Sequence, residues 1–341
     1  FPPIRVGHYD ANRLAIKTES VADFLFVHRV CSDIEGQPGS QLRMARVDAG
    51  DSSELWVVER HGFTGFRAAE ISAAKIATAL LHGEAFLRRK RDFEDDHGGF
   101  DHASELIRAS TADLGVDWTC DLFFSAERKF WQSRNLAARV QKARQDSLGL
   151  GWANHDHHTY RSSRENFTHL VSLLEQLGFQ CRERFYGGAE AGWGAQVLEQ
   201  PAAGIVVFAD VDLTPAEVAG DFAHDGLPPR PELGTVGLWC KLHGEAILQA
   251  GMHHLECQFD FDAAREQLAT AGIKTMAPFT YFDHLKQAFT EGEIWKVADR
   301  RIEAALNKQL ITETQAKTFR QSGSIGSHLE ILQRDDGYKG F

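Results

Sequence analysis

Residues 151–164 read GWANHDHHTYRSSR, and the chain continues through residue 179 as ENFTHLVSLLEQLGF. The first stretch reads as a histidine-bearing strand over 153–161. Ser162 and Ser163 follow it as N-cap residues, and the helix of the second stretch is amphipathic, with Gly178 to close it. CRERFYGG (181–188) and GIVVFAD (204–210) are further strand-like runs, so the unit is strand, helix, then more strands. Further on, GMHHLECQF (251–259) is a second histidine-bearing strand, FDAAREQLATAG (261–272) a short helix ending at Gly272, and SHLEILQR (327–334) a last strand. The rhythm repeats, which predicts a duplicated βαβββ module with copies at about 151–215 and 245–341. GGAEAGWG and SGSIGSH read as loops.

Strand parity sorts the side chains, because alternate residues face opposite ways. In the first strand His155, His157, Thr159 and Arg161 share one face; Asp156, His158 and Tyr160 share the other. The following helix must cover one side of the sheet, and an arginine suits that side poorly, so the His157/Arg161 face turns to a cavity. By the same count Leu255 and Cys257 face the helix, while His254, Glu256 and Gln258 face the cavity. His253 falls on the wrong face unless a bulge reverses it. In the last strand His328, Glu330, Leu332 and Arg334 share one face. Glu330 stands among strand formers, where a carboxylate is disfavoured without a partner. Taken alone, it is either an ion-pair partner of Arg334, an exposed edge residue or a ligand. His157, His254 and Glu330 together form a two-histidine, one-carboxylate set that leaves coordination positions open, the pattern of non-haem Fe(II) oxygenases. Arg161 is either a clamp for a substrate carboxylate or a salt-bridge partner of Asp156 or Glu165. Arg334 either joins the site or steadies Glu330. His155 is expected beside the ligands, and His158 and His253 in structural roles.

Residues 1–148 read as a mixed α/β region rich in helix. QLRMARVD and SELWVVERH are strand-like about the turn AGDSS, and ISAAKIATALLHGEAFLRRK (71–90) and the stretch Leu114 to Gln145 have helical periodicity. The turn SLGLG (147–151) marks a boundary, with 149–341 as the catalytic domain. The 1–148 region is expected to shape the pocket or to mediate self-association into a homo-oligomer.

Composition bounds the partners. A net charge of −11 and the absence of a sustained basic face argue against a nucleic-acid groove. The run Arg88-Arg89-Lys90-Arg91 is followed by Asp92, Glu94, Asp95 and Asp96 and reads as a solvated helix end. No apolar run nears the ~20 residues needed to cross a bilayer, and FPPIRVGHYDANR lacks the features of a signal peptide. Five widely spaced cysteines without a CxxC fit reduced thiols in a cytoplasmic protein. The expected partner is therefore a small molecule, with no membrane and no nucleic acid. HDHH lacks the spacing of the HxHxDH hydrolase signature, and no GxSxG, Walker loop or dinucleotide-binding glycine motif is present in its proper context.

Three segments carry a family resemblance. SHLEILQRDDGYKGF (327–341) resembles the C-terminal metal strand of 4-hydroxyphenylpyruvate dioxygenases, and GMHHLECQFDFDAAREQLATAGI (251–273) is similar to their second metal strand and helix. DHHTYRSS (156–163), with an arginine four residues after the first histidine of the pair, resembles the 2-oxoadipate dioxygenase/decarboxylase (hydroxyglutarate synthase) family. Both families belong to the vicinal oxygen chelate superfamily, built from paired βαβββ modules, and the resemblance spans roughly residues 150–341. It implies an α+β fold, metal binding by His157, His254 and Glu330, and Arg161 as the substrate-carboxylate arginine. It also implies an Fe(II)-dependent dioxygenase that couples decarboxylation of a 2-oxo acid to hydroxylation, with O2 as co-substrate. The same ligand set also serves extradiol ring cleavage and, with Zn2+, Mn2+ or Ni2+, non-redox lyases and isomerases. A non-catalytic binding protein on this fold would typically lack the ligands.

Overall fold

The computed structural model describes residues 4–6, 9–50, 52–258 and 260–334. The chain opens with β1 (Ile4–Val6), β2 (Tyr9–Lys17), α1 (Val21–His28), β3 (Leu42–Ala49) and β4 (Ser53–Arg60), which form a four-stranded sheet ordered β1-β2-β4-β3. Four helices follow: α2 (Ala73–Arg88), α3 (Asp96–Leu114), α4 (Val116–Ser133) and α5 (Leu136–Ser147). The helical periodicity from Leu114 to Gln145 is thus cut twice. Gly115 adopts φ 88°, a left-handed conformation that costs glycine little, and Asn135 caps α5 by accepting from the Ala138 N–H.

The first module is β5 (His155–Arg161), α6 (Phe167–Gln176), β6 (Gln180–Tyr186), β7 (Trp193–Gln200) and β8 (Ile205–Asp212). α6 buries Phe167, Leu170, Val171 and Leu174, an i, i+3, i+4, i+7 stripe that seats it on the sheet. Its N-cap position is Asn166 rather than Ser162 or Ser163. Those serines are buried and committed elsewhere: the Ser162 hydroxyl and the Ser163 N–H both donate to Glu245.

After α7 (Thr235–His243), the second module is β9 (His254–Gln258), α8 (Phe261–Thr270), β10 (Thr280–Phe282), β11 (Leu285–Phe289) and β13 (Ser324–Arg334). Between β11 and β13 it carries an insert of β12 (Glu293–Trp295), α9 (Asp299–Asn307) and α10 (Glu313–Ser322). SGSIGSH is not a loop. Most of it opens β13, paired with β12, because Gly326 lies flat against the Trp295 ring, where an added Cβ would come within 1.9 Å.

Both modules join one sheet ordered β10-β11-β13-β9-β5-β8-β7-β6, with β12 paired to β13. β5 and β9 meet antiparallel at its centre, and each runs parallel to the last strand of its own module. The paired βαβββ expectation and the α+β class therefore hold. One hydrophobic core fills the covered side, where Phe123 and Phe124 of α4 and Ile107 of α3 pack with Leu170, Val207, Leu255 and Ile331 of the modules.

The basic run is the main surprise of the helical region. Arg88 is solvated, but Arg89 and Arg91 are buried and both donate to Glu127 of α4, at 2.6 and 2.5 Å. Arg89 also donates to the Ile247 carbonyl at 2.7 Å, which ties α2 and α4 to the segment leading into β9. The acids expected to neutralise the run locally are not its partners. Among the described residues no helix is long and apolar enough to cross a membrane. All five cysteines are free, three of them buried.

Candidate metal centre

Backbone register at the sheet centre gathers the polar side chains. β5 pairs with β9 so that Thr159 lies opposite His254 and His157 opposite Glu256; β9 pairs with β13 so that His254 lies beside His328 and Glu256 beside Glu330. Three adjacent strands thereby present His157, His254 and Glu330 to one point. His254 Nε2 lies 3.0 Å and His157 Nε2 3.6 Å from the same oxygen, Glu330 Oε2. The ligand atoms of all three residues fall within 4.8 Å of one another, a spacing compatible with one ion at ~2.0–2.2 Å from each. Glu330 is 5% exposed and pairs with no lysine or arginine among the described residues.

The surrounding groups orient these three. Glu256 Oε2 takes His157 Nδ1 at 2.8 Å, and Gln287 donates to the other Glu256 oxygen at 3.0 Å. This leaves His157 Nε2 aimed at Glu330, the carboxylate–histidine arrangement that fixes tautomer and ring orientation around metals. His254 Nδ1 lies 3.1 Å from His328 Nε2, and Thr159 Oγ1 lies 2.9 Å from His254 Nε2. Phe208 packs on the His157 ring at 4.5 Å between centroids, and Phe289 on His328 at 4.4 Å.

Electrostatics mark the cluster as short of positive charge. Burial pushes Glu330 up to about 7, against the pull of His157, and burial with the charge of Glu330 pushes Glu256 up to about 7. Burial disfavours the charged form of His157, but Glu256, Asp156 and Glu330 outweigh it and raise the imidazole to about 10. Burial, aided by the charge of His157, holds His254 well below its ordinary value. Three carboxyls thus crowd one imidazole, and a divalent cation is the group whose charge and ligand preference fit that donor set.

One β-bulge corrects the sequence parity. The β5–β9 register shifts between His155 and His157, so that His155 opposes Cys257 and His157 opposes Glu256, with Asp156 as the extra residue. His155 therefore leaves the metal face and lines a cavity on the reverse side of the strand, with Arg128 and Lys17. Asp156 approaches the site instead: its carboxylate lies 3.4 Å from His157 Nδ1 and pairs with Arg334. Arg334 thus steadies Asp156, and Glu330 turns to the histidines.

Arg161 pairs with neither Asp156 nor Glu165. Glu165 is taken by Lys241, and the nearest acid to Arg161 is Asp210, beside it on β8, at 3.9 Å from Nε. Its Nε is buried without a hydrogen-bond partner among the described residues, and its guanidinium lies 5.6 Å from the Trp239 ring centroid. Burial pushes the neighbouring Asp210 up to about 7, against the pull of Arg161. His158 packs edge-on against Phe124 in the core, and His253, just before β9, lies against Trp239 with Nδ1 3.1 Å from the Gly326 carbonyl. Parity expects structural roles for both, yet His253, His254 and His328 also bring ligand atoms within 4.8 Å of one another. Glu256 and His328 faced the site by parity, but only the three-dimensional register shows what they hold. Asp335–Phe341, which carry the end of the C-terminal resemblance, and Phe259 lie outside the described residues.

A scan against protein-family models and a search of curated proteins found no match. Among solved structures, a proposed hydrolase from Shewanella frigidimarina is 14% identical, covering 65% of this chain and 97% of its own, with a TM-score of 0.43. A mutant 4-hydroxymandelate synthase from Streptomyces coelicolor is 11% identical, covering 100% and 95%, with a TM-score of 0.34. The uncharacterized protein YdcJ from Shigella flexneri, which includes domain DUF1338, is 12% identical, covering 78% and 70%, with a TM-score of 0.30.

Proposed function

We propose that this chain is a cytoplasmic, metal-dependent oxidoreductase: a dioxygenase in which His157, His254 and Glu330 hold Fe(II) and the substrate is a 2-oxo acid. The observation that carries the reading is the convergence of two imidazole Nε2 atoms and one buried carboxylate that pairs with no lysine or arginine among the described residues. A bound Fe(II) supplies Lewis acidity and O2 activation, and three protein ligands leave positions open for a chelating acid and O2. The chain's own residues do the rest. Glu256 and His328 orient the two histidines from behind. Phe208 and Phe289 give the pocket apolar walls that limit water.

Arg161 supports an acidic substrate. It sits four residues beyond His157 on β5, about 13 Å along the strand, with a buried guanidinium whose nearest acid, Asp210, stands off at 3.9 Å and whose Nε has no hydrogen-bond partner among the described residues. That separation suits an acid whose second carboxylate is remote from its 2-oxo end, clamped by the planar fork that arginine offers and lysine does not.

The test is metal analysis of anaerobically prepared protein, then O2 uptake and CO2 release with Fe(II) against a panel of 2-oxo mono- and dicarboxylic acids. Matched O2 consumption and CO2 release, lost in His157→Ala, His254→Ala and Glu330→Ala, is the expected result. O2 uptake with catechols and no CO2 would move the assignment to ring cleavage. Turnover without O2 in the Zn2+, Mn2+ or Ni2+ form would move it to a lyase or isomerase.

A further inference from the structure

The bulge at Asp156 turns His155 into a second cavity, of about 50 Å3, between the N-terminal sheet, α4 and the start of β5. One water needs ~10–15 Å3 by this kind of measure, so the space takes an ion of several heavy atoms. Asp121 lies near enough to feel both Arg128 and Lys17, but neither cation makes an ion pair with it among the described residues. Arg128 is 8% exposed; its Nη1 donates to His158 Nε2 at 3.3 Å, and its Nε has no partner. His155 Nδ1 is buried and likewise without a partner, and Lys17, exposed at the mouth, makes no hydrogen bond or ion pair among the described residues.

The acids around the same space are already engaged. Asp121 accepts from His61 Nδ1 at 2.9 Å, and Glu19 accepts from the Trp152 N–H at 3.0 Å and faces Lys142. Arg60 donates to the Gly65 carbonyl. A buried guanidinium without a direct ion pair and with an orphaned Nε is costly, and a small anion would lower that cost while meeting the orphaned donors.

We propose that this cavity binds a small oxyanion or carboxylate, up to about the size of phosphate, between Arg128 and Lys17, with a hydrogen bond from His155 Nδ1. The site stands apart from the metal centre and does not depend on the reaction assigned to it. It lies behind the strand segment that carries His157, so an occupied cavity braces the bulge that aims that ligand. Lys17 and Arg60 come from the N-terminal sheet and His155 from the first module, so the anion also fastens the two together.

The experiment follows thermal unfolding of the full chain, with and without EDTA, as inorganic phosphate, sulfate or acetate is titrated at constant ionic strength. The expected result is a saturable rise in Tm with at least one of the three, persisting with EDTA and so independent of metal. The affinity falls roughly 10–100-fold in Arg128→Gln, the loss of a charge-assisted hydrogen bond. Lys17→Gln, at the exposed mouth, gives a smaller loss in the same direction and serves if the Arg128 variant does not fold. The proposal is overturned if no anion raises Tm saturably, or if the folded variants respond as the parent does.

Discussion

Replacing Glu256 tests whether the cluster is a metal centre or only a buried ionic network. Glu256 is not one of the three converging side chains, but it lies beside Glu330 on the neighbouring strand and hydrogen-bonds it. It accepts from His157 Nδ1 at 2.8 Å and is itself held by Gln287 at 3.0 Å, so its effect on an ion passes mainly through the aim of one imidazole and its contact with Glu330. Loss of such an outer partner lowers metal affinity by about 10–100-fold, or ~1.4–2.7 kcal/mol. Glu256→Leu removes the acceptor altogether and belongs at the upper end. Glu256→Gln keeps a carbonyl oxygen for the Nδ1–H and belongs at the lower end. The two variants therefore separate hydrogen-bond geometry from charge. Without metal the exchange has compensating effects, since it removes both a carboxyl disfavoured by the charge of Glu330 and the partner of His157. Affinity is read by competition with a chromophoric chelator, using Fe2+, Mn2+ and Zn2+, with the apo Tm recorded as a check on folding. If Glu256→Leu binds all three ions as tightly as the parent, His157 is not held for a metal and the reasoning fails.

Glu127→Gln leaves Arg89 and Arg91 buried without a counter-charge and should cost about 3–5 kcal/mol in urea unfolding; a loss below about 1 kcal/mol would show that the network is idle. Burial alone would raise the pKa of Glu127, but Arg89 and Arg91 hold it below the usual carboxylate value. Its stabilisation is therefore full above the unfolded pKa of ~4.3 and is lost as pH falls through the lower folded value, so the parent should lose more stability on acidification than Glu127→Gln. Gly326→Ala drives a Cβ into Trp295 and should cost about 1–3 kcal/mol, read as a drop in Tm. Arg161→Lys keeps the charge but loses the planar fork; KM for the acid substrate should rise about 10-fold or more with metal affinity unchanged. An unchanged KM would remove Arg161 from substrate binding.

Much of the centre was legible because strands obey a two-residue period. Parity alone put His157, His254 and Glu330 on one face, and the register at the sheet centre brings those residues together. The same rule failed at His155, because a bulge inserts one residue without a strong local signal, and the shift becomes visible only against the partner strand β9. Arg89 and Arg91 failed for a different reason. Their neighbours in sequence are acids, but their partner Glu127 lies 36 to 38 residues away, on a helix whose docking no local pattern reveals. The insert of α9, α10 and β12 was hidden similarly. It interrupts the second module between its third and fourth sheet strands, so the two copies differ in length exactly where the repeat would otherwise be plainest.

The sheet also explains why the candidate centre gathers three converging side chains rather than four. A two-fold relation through the pair His158–Leu255 carries β5 onto β9 and β8 onto β13, and it superposes His157 on His254. Under the same relation Glu330 of β13 corresponds to Phe208 of β8, because Val207 lies beside His158 as Leu329 lies beside Leu255. The second module thus offers a histidine and a carboxylate, whereas the first offers a histidine and a phenyl ring packed on it at 4.5 Å. A perfectly duplicated pair would set four ligands around the axis. With an apolar ring in place of one of them, an ion held there would lack a protein donor on one side, and Arg161 lies further along the strand that borders that side. Under the proposed function, this departure from symmetry, more than the ligands themselves, is what would let a substrate reach a metal held there.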